Sequence, residues 1–83
     1  MVTPAEFEKA VKDLGIGKYH GPYRGRHHHN GYAVTFKERD DVAAMMVRLQ
    51  QVDGLSELME EMPHMDTFGH GVIASWDESL FSK

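Results

Sequence analysis

The stretch RGRHHHNGYAVTF, Arg24 to Phe36, decides how the chain folds. Asn30-Gly31 is the favoured pair for a two-residue type I′ hairpin turn, because both central positions need positive φ. The residues after it alternate and are rich in β-branched and aromatic types, as a strand requires. A two-residue turn would set the register, with His29 opposite Tyr32, His27 opposite Val34 and Gly25 opposite Phe36. His27 and His29 would then share a face with Tyr32, Val34 and Phe36. Arg24, Arg26 and His28 would lie on the other face with Ala33, Thr35 and Lys37.

Upstream, TPAEFEKAVKDLG reads as a helix. Thr3 can cap it, Pro4 suits its first position, and Glu6 completes a T-x-x-E capping box. Phe7, Ala10, Val11 and Leu14 follow at the spacing of a buried stripe, and Gly15 offers the left-handed stop. Residues 17–22, with two glycines and a proline, read as a loop.

Downstream the period changes. DDVAAMMVRLQQVDG sets Val42, Met45, Met46, Leu49 and Val52 on one helical face, with Asp40 or Asp41 as cap and Gly54 as stop. LSELMEEMP reads as a shorter helix with Leu55, Leu58, Met59 and Met62 inward. PHMDTFGHG reads as a loop, VIASW as a buried strand, and Leu80 and Phe81 as a clip back onto the body. The expected fold is α+β, one domain over residues 1–83, in the order α-β-β-α-α-β. Hairpin and C-terminal strand would form a three-stranded sheet with helices on one face, the last strand parallel to the second. The order resembles the start of a double-stranded-RNA-binding domain, but the helices after the hairpin are acidic where that domain needs a basic one.

An 83-residue chain with 41% apolar residues supports one modest core. No apolar run approaches the roughly 20 residues of a membrane span, and MVTPAEFEKAV lacks a secretory pattern. Cysteine is absent, which removes disulfides and thiolate metal sites, and the expectation is a cytoplasmic protein without a cofactor. The net charge of −4 is polarised. Residues 1–39 carry seven Lys/Arg against four Asp/Glu, whereas residues 40–83 carry two against nine. Such asymmetry bears on partners.

Three readings of the charged groups follow. Asp40, Asp41, Asp53, Glu57, Glu60, Glu61 and Asp66 form an acidic surface for a protein partner with a basic face, such as a nucleic-acid-binding complex. Tyr23, Arg24, Arg26 and His28 on the hairpin would add to that contact; alternatively, with their aromatic neighbours, they would stack and neutralise single-stranded nucleic acid. The pI near 5.8 weighs against direct nucleic-acid binding. In the third reading His27 and His29, at i and i+2 on a strand, share a transition metal with a loop histidine, His20, His64 or His70, and with Asp66 as a nearby carboxylate. No nucleophile elbow, phosphate loop or metalloprotease helix is present, so catalysis is not expected. In size, acidity, missing cysteines and lack of catalytic motifs the chain resembles the small inhibitors carried by phages and mobile elements, anti-CRISPR proteins among them. The likeness is one of general character and assigns no residues. A final strand at a sheet edge would also let a second copy pair.

Overall fold

The computed structural model describes Val2 to Ser82. The class is α+β, with a sheet of four strands, not three. Helix α1 (Pro4–Leu14) leads to β1 (Lys18–Arg24) and β2 (Asn30–Phe36). Helices α2 (Asp40–Leu49) and α3 (Ser56–Glu60) come next, followed by β3 (His64–Phe68), β4 (Gly71–Asp77) and a short 3-10 turn, Glu78–Leu80. The strand order is β1-β2-β4-β3, and every neighbouring pair is antiparallel.

Helix α1 forms as its spacing and caps dictate. The Glu6 amide donates to Thr3 Oγ1 at 3.2 Å, and Gly15, at φ 69°, donates to the Val11 carbonyl at 3.1 Å. Phe7 and Val11 are fully buried, a contribution of about 1.5–3 kcal/mol each. Phe7 sits 5.5 Å from the rings of both Trp76 and Phe81. Val42, Met45 and Leu49 from α2 join the same cluster, as do Val34, Phe36, Val72, Ala74 and Trp76 from the sheet. Phe81 does fold back, packing on Tyr32 at 4.8 Å. Helix α2 is entered through Arg39 with no side-chain cap, so neither Asp40 nor Asp41 caps it. Val52 and Met62 point outward, at 40% and 80% exposure, because the inward face ends with the helices.

The hairpin departs from the two-residue turn. Arg24 pairs with Asn30 and Tyr23 with Gly31, so the histidines lie in a five-residue connection, Gly25–His29. Among the described non-glycine residues positive φ belongs to His28 alone, at 60°, and Asn30 and Gly31 are ordinary strand residues. The physical reason is close approach. A Cβ built on Gly31 would lie 2.1 Å from the Trp76 carbonyl oxygen, so this glycine lets β2 pair tightly with β4. Residues 17–22 are likewise mostly strand: β1 absorbs its glycine and proline by a bulge between Tyr19 and Gly21 and by lying at the sheet edge. PHMDTFGHG holds β3 and a two-residue turn, Gly69-His70, with Gly69 at φ 52°. The strand that crosses over after the helices is therefore β3, and β4 returns antiparallel between β2 and β3.

The helices cover the sheet face bearing Val34, Phe36, Val72, Ala74 and Trp76. Ala33, Ile73 and Ser75 face the other side, yet they too are buried. Two things cover them. The sheet coils so that this side is concave, because Tyr23 of β1 and Asp66 of β3 meet at 2.7 Å from opposite edges. The histidine loop then folds back over the hollow.

Candidate functional site

The loop Gly25–His29 is closed by the Gly25 amide donating to the His29 carbonyl at 2.7 Å. A second bond, from the His28 amide to the Arg26 carbonyl, tightens it. His28 accepts positive φ there, a conformation in which histidine is enriched among non-glycine residues. Its ring Nδ1 accepts a bond from the Arg24 guanidinium at 2.9 Å, so these two groups lie together, exposed.

His29 turns inward and anchors the loop. Nδ1 lies 3.3 Å from Asp77 Oδ2 and Nε2 lies 3.2 Å from Ser75 Oγ. One neutral tautomer satisfies both, with Nδ1–H donating to the carboxylate and Nε2 accepting the serine proton. Ser75 and Asp77 share a face because they are two apart on β4. The order Ser–His–Asp is that of a hydrolase triad. Ser75 is fully buried, however, with its hydroxyl under the imidazole, so the arrangement satisfies a buried hydroxyl and pins a loop. The His29 ring also stacks on His64 of β3 at 4.0 Å. Arg26 approaches Asp66 at 3.5 Å, completing the contact between loop and far edge.

Of the loop histidines considered as a third metal ligand, His64 reaches His29 but His70 does not. His70 lies in the β3–β4 turn, and six steps of about 3.3 Å along β4 put that turn roughly 20 Å from the end that His29 touches. His27 lines a hollow of about 230 Å³ with His29 and His64. Among the described residues no three His, Cys, Asp or Glu side chains are grouped so as to hold a metal ion.

The acidic residues fall into three places. Asp40 and Asp41 open α2, a helix about 15 Å long. Past its far end come Asp53, Glu57, Glu60 and Glu61, all exposed along one segment with Val52 and Met62. That segment is held to the sheet by the Trp76 indole, which donates to the Glu61 carbonyl at 3.1 Å. Asp66 stands apart, on the concave side, engaged by Tyr23 and Arg26. The ion pairs among the described residues are Lys12–Glu8, Arg26–Asp66 and, when the imidazole is charged, His29–Asp77. Two of these pairs join the basic part of the chain to the acidic part, at Asp66 and Asp77. Asp53, Glu57, Glu60 and Glu61 make no ion pair with any described residue.

No family model matches the chain, and no curated protein or solved structure matches it either.

Of the hairpin residues expected at a contact, Arg24, Arg26 and His28 are exposed and Tyr23 is half-buried with its hydroxyl donated to Asp66. Ser75 and Asp77 escaped the sequence reading as members of this cluster, whereas His64 is among the histidines set beside His27 and His29. The spacing of Ser75 and Asp77 on one strand was the available signal; the folded-back loop that brings His29 to them had none.

The Tyr23–Asp66 bond has a pH consequence. Hydrogen bonding to Asp66, followed by burial, raises the Tyr23 pKa above its ordinary 10.0, and burial raises that of Tyr19. A raised phenol pKa stabilises the fold fully below about pH 10, and that stability is lost as pH rises through the folded value. Bonding to Ser79 lowers the Asp77 pKa below 3.8, so its contribution is present above that value and lost at lower pH. Alkaline unfolding of the native chain should therefore track tyrosinate absorbance. Tyr23→Phe should lower stability at neutral pH by about 1 kcal/mol and flatten the alkaline limb, measured by urea unfolding at stepped pH. An unchanged limb would show that Tyr23 ionises as freely folded as unfolded.

Proposed function

We propose that the chain is a small non-enzymatic protein-binding module that inhibits or regulates a nucleic-acid-handling protein. Its exposed segment Val52–Met62 meets a basic surface on that partner. The observation that carries this reading is the unpaired state of Asp53, Glu57, Glu60 and Glu61 beside two exposed apolar side chains, Val52 and Met62. Carboxylates left to solvent on one segment present a field that steers and selects a cationic partner. The apolar side chains between them supply area that water is released from on contact. Asp40 and Asp41, at the other end of α2, and Asp66, bonded under the loop, do not belong to the contact segment. Arg24, Arg26 and His28, exposed at the hairpin end of the sheet where β3 begins three residues after Glu61, add to that contact.

The test is capture by the chain carrying a non-histidine tag, with EDTA present, followed by identification of what high salt releases. The captured protein should be basic and should bind the native chain at least about tenfold tighter than the Glu57→Lys, Glu60→Lys, Glu61→Lys variant, a difference of about 1.4 kcal/mol. All three glutamates are exposed, so the variant should melt within a few degrees of the native chain. Equal binding by both chains would sink the proposal.

A further inference from the structure

At the end of the sheet remote from the histidine loop, three connections meet: α1 to β1, β2 to α2, and the Gly69-His70 turn. Between them lies an open groove of about 860 Å³. That is within the range of about 300–1,000 Å³ in which small-molecule sites fall. Ile16 and Phe68 line it with apolar side chains, Phe68 being 54% exposed, while Phe36 reaches it from the core at 5% exposure. Two glycines let the backbone approach Phe36 closely: a Cβ on Gly17 would lie 2.5 Å from the Phe36 ring, and one on Gly71 would lie 2.7 Å from the Phe36 carbonyl oxygen.

Four charges of both signs border the groove, Lys18 and Lys37 from the strands and their ends, Glu38 and Asp41 from the entry into α2. None of the four is paired with another or with any described residue. Opposite charges around one apolar groove, left apart, present two separate polar anchors. An anion alone would be repelled by the carboxylates and a cation alone by the ammoniums. A zwitterion with a sizeable apolar side chain satisfies both and fills the groove.

We infer that this groove binds a free α-amino acid with a large apolar or aromatic side chain. Its side chain lies against the exposed ring of Phe68, its carboxylate meets Lys18 and Lys37, and its ammonium meets Glu38 and Asp41. The inference is independent of the acidic segment and its partner, which lie beyond the other end of α2.

The experiment is an NMR titration of the full chain with L-phenylalanine, 3-phenylpropionate, 2-phenylethylamine and glycine. L-Phenylalanine should give saturable shifts centred on the amides of Gly17, Lys18 and residues 68–71. Each truncated probe should bind about tenfold more weakly, as loss of one charge-assisted contact implies, and glycine should not saturate. Lys37→Gln should weaken phenylalanine and phenylpropionate while leaving phenylethylamine unchanged. Phe68→Ser, at an exposed position, should weaken all three aromatic probes. Absence of saturable shifts, shifts centred elsewhere, or equal binding of L-phenylalanine and either truncated probe would overturn the assignment.

Discussion

Phe7→Ala is expected to leave the chain largely unfolded at 37 °C. Phe7 is fully buried and touches three other aromatic rings, Tyr19, Trp76 and Phe81, at centroid distances of 5.5 to 6.0 Å. It is the point where the first helix, both central strands' inner face and the returned C-terminus converge, so no neighbour can collapse into the space without leaving another contact. Removing a buried phenylalanine costs about 3–5 kcal/mol. A domain of this size has about 0.05–0.15 kcal/mol of net stability per residue to lose. The loss should lower the melting midpoint by about 15 °C or more. Trp76, the one tryptophan and itself in contact with Phe7, reports the transition by fluorescence. Phe7→Leu should recover more than half of the loss. A midpoint for Phe7→Ala within 5 °C of the native chain would mean that the three ring contacts contribute little.

Gly31→Ala should cost nearly as much from the addition of a single carbon. That carbon would meet the Trp76 carbonyl oxygen at 2.1 Å and the His29 Nε2 at 3.0 Å. The first neighbour is backbone in the central pair of strands and cannot turn away, so the β2–β4 ladder must open locally. Overpacking of this kind costs about 1–3 kcal/mol, and the rigidity of the neighbour puts Gly31 at the upper end. The second neighbour ties the effect to the histidine loop: with His29 displaced, the buried Ser75 hydroxyl loses its partner. Amide exchange at Gly25 should accelerate along with the drop in midpoint. Gly25→Ala is the control, because its added carbon meets nothing closer than 3.4 Å, and it should melt near the native chain. Equal midpoints for Gly31→Ala and Gly25→Ala would show that the strands yield more easily than their spacing implies.

The elements held by local chemistry were legible in the sequence. Helix α1 carried its cap, stripe and stop in thirteen consecutive residues, Thr3 to Gly15, and formed as read. The inward sets Val42, Met45, Leu49 and Leu55, Leu58, Met59 followed from periodicity. Asn30-Gly31 misled because glycine answers two different demands, positive φ in a turn and close approach within a sheet, and only the neighbouring strand reveals which. The true two-residue turn, Gly69-His70, follows HMDTF, which is too polar to read as a strand, so VIASW reads without its hairpin partner. HMDTF is a strand because β4 pairs with it, and its Asp66 is held by groups 40 and 43 residues earlier, Arg26 and Tyr23. No window of local sequence contains that information. For the same reason the seven acids looked like one cluster, although pairing with Ile73 puts Asp66 on the other side of the sheet.

The two edges of the sheet differ in a way that governs assembly. Strand β1 is interrupted by a bulge and by Pro22, which has no amide proton to offer, so a further strand cannot be added there. Strand β3 is bonded on one side only and holds no proline within His64–Phe68. Growth through the sheet is therefore one-sided. Two copies joined by their β3 edges would expose only blocked edges and stop, a closed pair with no template for a third chain. An edge blocked on one side of the sheet would thus make each copy an end-piece of any such stack.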